Sequence, residues 1–313
     1  MSWLSWLWPG RTSGKTSSRA AQPGTEHARV EPVGDVPAAA APPEPPAPPA
    51  LCATLPWLLG TAALTDAALA PEEHHALEAI AKTLALPEIP DNLLPRAAAL
   101  IPQLIALVRQ TELPTPAMAQ RIGKDAVLAA EVMRLASSPY YRVQGDVTDL
   151  EQAISLIGLQ GLQTVIARVL LKPIYRATPG PLSGRAGPRM WDHSEAMARH
   201  TAILSGPAGQ SVFDGYLAGM LHDTGWTAAF TIIDRVGLAL PQTPSLVFGT
   251  VLTEQVHRLF GLAAQRWEIT PGFMALALDA RRNGLAGATH PLAGLLQQAE
   301  QLSLDELAPE SQI

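Results

Sequence analysis

Trp191-Asp-His-Ser-Glu-Ala-Met-Ala-Arg-His200, followed by Phe213-Asp-Gly-Tyr-Leu-Ala-Gly-Met-Leu-His-Asp-Thr-Gly225, is the stretch on which the fold turns. The first segment reads as the opening of a helix, with His193 in its first turn and Met197 and His200 further along. The second reads as a helix from Phe213 to about His222 that turns Tyr216, Leu217 and Met220 towards a core. Gly225 is expected to close it as a C-cap. An adjacent His222-Asp223 pair at a helix end lets an imidazole and a carboxylate approach one ion from neighbouring angles. Histidines from other helices, with His193, His200, His257 and His290 on hand, can complete such a cage. The same pair also works without metal, as hydrogen-bonded groups that fix a helix end. Both readings stay open on the residues alone.

Composition widens the helical reading to the whole chain. Of 313 residues, 47% are apolar but only 5% aromatic, so Leu and Ala must carry the packing. Such a chain, with few β-branched runs, favours helix over sheet, and the expected fold is all-α. A formal charge of −6, without a long Lys/Arg run, gives no general attraction for phosphate backbones, and no nucleic-acid partner is expected. The one cysteine, Cys52, excludes a disulfide framework and a thiolate zinc site and fits a reducing, cytoplasmic setting. The apolar run Ala153–Leu171 carries Gln160, Gln163 and Arg168 and reads as a core helix, not a membrane span.

The expected organisation follows shifts in composition. Residues 1–50 read as a disordered leader. Pro42-Pro-Glu-Pro-Pro-Ala-Pro-Pro49 favours extended polyproline II and acts as a spacer. Ahead of it, Trp3, Trp6 and Trp8 offer a weak docking element for a membrane surface or a partner groove, the other reading being a frayed terminus. Residues 51–85 form a helical extension, with Pro71 and two acids opening a helix on which His74 and His75 diverge into solvent. Residues 86–302 form the main domain, in halves 86–172 and 189–302. A helix over about 93–111, two short helices around Gly123-Lys-Asp-Ala126, and a helix opened by a Thr148/Glu151 capping box make up the first half. Gly158-Leu-Gln-Gly161 reads as a helix-to-helix turn. The Pro/Gly/Ser-rich stretch Pro173–Pro188 is expected to be a loop between the halves, and 303–313 a flexible tail.

These residues bear a family resemblance. Leu221-His-Asp-Thr-Gly225 after Trp191-Asp-His-Ser194, then Glu254, His257-Arg-Leu-Phe-Gly261 and Trp267-Glu-Ile-Thr-Pro271, resemble the HD superfamily of metal-dependent phosphohydrolases. Leu86-Pro-Glu-Ile-Pro90, Ala117–Asp125, Val132–Ser138 and Ala153-Ile-Ser-Leu-Ile-Gly158 are similar to the HDOD branch of that superfamily. The resemblance implies a multi-helix HDOD bundle in which His193, His222, Asp223 and His257 stand at metal-binding positions. It also marks departures. Arg281-Arg282 stands where active relatives have a His-His pair, and permanently charged guanidiniums do not ligate cations. Glu300 is the nearest counterpart of a late metal-binding aspartate, and Trp226 replaces the lysine of the branch that hydrolyses cyclic di-GMP. A two-metal hydrolytic site is therefore not expected.

The resemblance implies a non-enzymatic signal-transduction module that acts on signalling proteins through contacts, with no cofactor. No output domain of the GGDEF or EAL type stands in the chain. The alternative is a divergent phosphohydrolase acting on a nucleotide or cyclic dinucleotide. It would use a single divalent ion on His193, His222, Asp223 and His257, with Arg281 and Arg282 as phosphate clamps.

Overall fold

Glycine, proline and acidic residues at helix ends account for most element boundaries in the computed structural model of this chain. It describes residues 53–308 apart from 62, 95–96, 98–99, 103–113, 139–146 and 177–179. The leader with Trp3, Trp6 and Trp8, its polyproline run, and most of the expected 93–111 helix lie outside the described residues. Among those described there are eleven named helices and no strand, only an isolated bridge between Thr65 and Ser245.

Helix α1, Thr54–Leu59, ends at Gly60, whose φ of 66° lets its N–H turn back to the Trp57 carbonyl. Helix α2, Pro71–Leu84, opens with proline, and Glu73 accepts the Ala70 N–H at 2.9 Å. His74 and His75 are exposed, as expected from their spacing. Helices α3, Thr115–Ile122, and α4, Ala126–Ala136, bracket Gly123–Asp125, and Asp125 caps the second by accepting from the N–H groups of Val127 and Leu128.

Helix α5, Leu150–Arg176, bends at Gly158, where φ is 67°. Its start differs from expectation. Asp149, not Thr148, caps it by accepting the Gln152 N–H at 2.8 Å, while the Gln152 side chain accepts the Thr148 N–H at 2.9 Å. The reciprocal Thr148/Glu151 box does not form, because the helix starts one residue later and Gln152 accepts the N–H of the residue before the cap. Leu150–Tyr175 is long and apolar enough to cross a membrane by length and composition, yet half of its most apolar window is buried in this bundle. It packs on α4 and on α6, Pro181–Ser205.

The expected loop over 173–188 is mostly helix. α5 continues through Pro173, and α6 starts at Pro181. The reason is tertiary. Asp234, from a helix much later in the chain, accepts the N–H groups of Leu182 and Ser183, each at 2.9 Å, and so caps α6 from outside. His193 consequently lies mid-helix, not in a first turn.

Helices α7, Val212–His222, and α8, Thr224–Arg235, are separated by Asp223 alone. Gly225 is therefore not a C-cap. It stands in the first turn of α8, where a Cβ would lie 2.2 Å from the Val256 carbonyl oxygen of α9, Leu246–Ala264. Gly219 likewise brings α7 onto α6, since a Cβ there would sit 2.5 Å from Met197 backbone. Helix α10, Pro271–Asn283, packs on α9, and α11, Pro291–Leu307, on α6. The expected tail from 303 is helical to Leu307, with Ser303 buried. Glu306 anchors it, accepting from Arg199 at 2.7 and 3.0 Å and pairing with His200 at 2.8 Å.

Candidate metal centre

The centre forms where the middle of α6 passes the α7–α8 junction. Burying Trp191, Ser194 and Met197 on one stripe of α6 carries His193 inward with them. The short junction leaves Asp223 no freedom to reach solvent, and both His193 and Asp223 are fully buried. The Asp223 carboxylate takes three partners. His193 Nδ1 lies 2.8 Å from one oxygen, and the Ser194 hydroxyl donates to that same oxygen at 2.8 Å. His222 Nδ1 lies 3.1 Å from the other.

This arrangement sets the charges. Burial alone would push the Asp223 carboxyl up, but the His193 charge and the bonds from both imidazoles outweigh it and hold the group well below its ordinary range. For His193, burial acts to lower the pKa, and Asp223, with a smaller contribution from Glu300, overrides it and raises the imidazole to about 9. The resting pair is an imidazolium and a carboxylate. His257 goes the other way, because burial and the neighbouring His222 lower it to about 3.

With their Nδ1 atoms on Asp223, the Nε2 atoms of His193 and His222 are buried and have no hydrogen-bond partner among the described residues. Buried nitrogens without a partner are costly, and these two leave the cluster with unused ligating capacity. His193, His222 and Asp223 each offer one ligand atom, all within 4.8 Å of one another. The donor set fits a single divalent cation of the imidazole- and carboxylate-binding kind. His257 stands next to this group, its ring centroid 5.5 Å from that of His222, but does not belong to it.

The arginines do not join them. Arg281 donates to the Gln265 side chain at 2.5 Å and to the Leu86 carbonyl at 3.2 Å, and Arg282 is exposed. Gly261 lets α10 approach α9 closely, since a Cβ there would lie 2.2 Å from the Arg281 amide nitrogen. The Arg281 bonds lend no support to the phosphate-clamp reading of Arg281 and Arg282. His200 pairs with Glu306, and the His290 side chain caps α11, so neither serves the centre. Trp226 is fully buried beside Phe230.

Three neighbours escaped the reading of the sequence. The place of Ser194 directly after His193 is the one signal the sequence holds for its role. Thr54 and Trp57 of α1 gave none. Thr54 donates to Glu300, whose carboxylate lies 4.0 Å from His193 Nε2, and the Trp57 ring stands 5.8 Å from that of His193.

Comparison with known proteins places this geometry in a family. The HDOD domain model matches residues 94–269. An uncharacterised protein of Treponema pallidum (strain Nichols) is 22% identical over 157 residues, 47% of this chain and 30% of that protein, so the chain spans under a third of that relative's length. Among solved structures, a candidate metal-dependent phosphohydrolase of Shewanella amazonensis SB2B aligns with a TM-score of 0.52 at 17% identity, covering 77% of this chain and 86% of that one. An HDOD domain protein of unknown function from Geobacter sulfurreducens aligns with a TM-score of 0.48 at 19% identity, over 77% and 82% of the two chains. The first of these structures supports the fold alone. With the family model covering more than half of its length, and with the helical bundle and His-Asp junction described above, this chain belongs to the HDOD domain family, within the HD superfamily.

Proposed function

We propose that this HDOD protein is a regulatory module acting through contacts with cytoplasmic signalling proteins, and that its His-Asp centre takes one divalent cation without supporting phosphohydrolase turnover. The observation that carries this reading is the charge around the centre. Among the described residues the ion-pair partners of Asp223, and of Glu300 beside it, are imidazoles, while Arg281 is bonded to Gln265 and Leu86. A hydrolase needs cationic groups to clamp a phosphoryl group beside its activated water. His193, His222 and Asp223 would hold the ion, which when bound supplies Lewis acidity and could organise the junction. In the metal-free protein Asp223 orients both imidazoles and Ser194 orients Asp223, bonds that ligation of the ion by Asp223 would replace.

The test pairs metal analysis with a turnover assay on the full chain. Protein purified without chelators should carry close to one equivalent of divalent metal and lose it in Asp223→Ala. It should not cleave a generic phosphodiester or a cyclic dinucleotide with added Mn²⁺. Mn²⁺-dependent cleavage that disappears in Asp223→Ala would overturn the regulatory reading in favour of a divergent phosphohydrolase. The two unpartnered Nε2 atoms are the observation that keeps that second reading in play.

A further inference from the structure

We infer that α1 is a removable cover over the His193–Asp223–His222 cluster, so that its docking opposes uptake of a divalent cation and cation uptake opposes its docking. The inference rests on the reading of that cluster as a cation site and adds its regulation.

Four observations converge on it. The first is position. α1 stands beside the His193 side of the cluster, with Trp57 against His193 and the Thr54 hydroxyl bonded to the Glu300 carboxylate. The second is Glu300 itself. One of its oxygens accepts from Thr54 while lying 4.0 Å from His193 Nε2, so it is the carboxylate best placed to move onto an ion in the cluster. Moving it there pulls it from Thr54. The same group thus serves the closed cover and the loaded site, which is the differential contact that coupling between two states requires.

The third observation is a joint. Gly60 closes α1 at φ 66°, a conformation that other residues adopt only with strain, and glycine there can swing without a side chain to obstruct it. The fourth is that the chain beyond the joint is pinned independently. Thr65 exchanges backbone hydrogen bonds with the Pro244–Leu246 segment at 3.0 and 2.8 Å. The buried Glu73 then accepts from the Ser245 N–H at 2.7 Å and its hydroxyl at 2.8 Å. α1 can leave while α2 stays. In the resting state it is seated firmly, because Leu55, Leu58 and Leu59 are buried and Arg189 reaches the Leu58 carbonyl at 3.5 Å. The closed form is the default, and opening needs a cation or a partner to favour it.

The experiment uses the full-length protein stripped of metal, with Thr54→Val and Trp57→Ala as variants. Thr54→Val keeps shape and removes only the bond to Glu300, so it stays informative if Trp57→Ala folds poorly. Uptake of Mn²⁺ is followed by loss of the free-ion resonance signal, and opening of α1 by hydrogen exchange of its backbone amides. Thr54→Val is expected to bind Mn²⁺ about tenfold more tightly than the unmodified protein, and added Mn²⁺ should speed α1 exchange in the unmodified protein but not in Asp223→Ala. Equal Mn²⁺ affinity in the unmodified protein, Thr54→Val and Trp57→Ala would overturn the cover while leaving the cation site standing. If none of these proteins takes up Mn²⁺, the cation site falls and the coupling falls with it.

Discussion

Among the described residues two carboxylates, Glu73 and Asp223, are buried, and their surroundings differ in one respect that separates structure from function. Glu73, 1% exposed, accepts from the Ala70 N–H, the Ser245 N–H and the Ser245 hydroxyl. Its partners are local backbone and a capping serine, and the hydrogen bonds close on themselves. Asp223 also has three partners, but two are imidazoles whose far nitrogens stay buried and unpartnered. Equal burial and an equal number of bonds therefore mean different things. The Glu73 cluster is complete, and the Asp223 cluster has binding capacity left over.

Breaking each cluster should expose the difference. Asp223→Ala strands a buried imidazolium and is expected to destabilise the protein by about 3–5 kcal/mol, with complete loss of cation binding, measured by urea unfolding and metal analysis. Equal metal content in this variant would erase the distinction drawn above.

A pH series sharpens it next. His193 has a folded pKa of about 9, above its ordinary 6.5, so its contribution is fully present below pH 6.5 and is lost as pH rises to 9. His257, lowered to about 3, and Asp223, also lowered, contribute stability that is lost as pH falls. Metal-free protein should be most stable near neutrality. Its unfolding free energy should drop by roughly 2–3 kcal/mol between pH 6.5 and 9. Saturating Mn²⁺ should remove that alkaline loss, since the ion replaces the His193 proton, and ion affinity should rise over the same range. A flat profile from pH 6.5 to 9 in metal-free protein would contradict the imidazolium assignment.

Glu73→Ala leaves the Ser245 N–H and hydroxyl without their acceptor and is expected to cost about 1–3 kcal/mol while leaving Mn²⁺ affinity unchanged. A large change in that affinity would tie Glu73 to the centre after all. Arg281→Ala should do least. It loses partly exposed bonds to Gln265 and Leu86, and a change of under about 1 kcal/mol with unaltered metal content is expected.

Comparing residues shows where reading the sequence succeeds. His193, His222 and Asp223 were legible because their chemistry is distinctive and because two of them are neighbours at a helix end. The paired short helices around Gly123–Asp125 were legible too, since Asp125 caps the helix that begins at the next residue. The 173–188 stretch was misread because its prolines and glycines favour a loop locally, and only Asp234 overrides them. Gly225 was misread for a related reason. A glycine after a helix usually ends it, but here it is required by the approach of α9.

What the amino-acid sequence determined by itself is the helical class, the family and the set of side chains able to hold a cation. Periodicity, capping and side-chain chemistry are local properties that survive without any long-range contact. What only the tertiary structure decided is which of these groups meet and what covers them. Thr54 and Glu300 stand 246 residues apart in the chain, and the Arg281 side chain reaches the Leu86 carbonyl, 195 residues away. Such contacts are set by the packing of whole helices, so no local pattern can carry them.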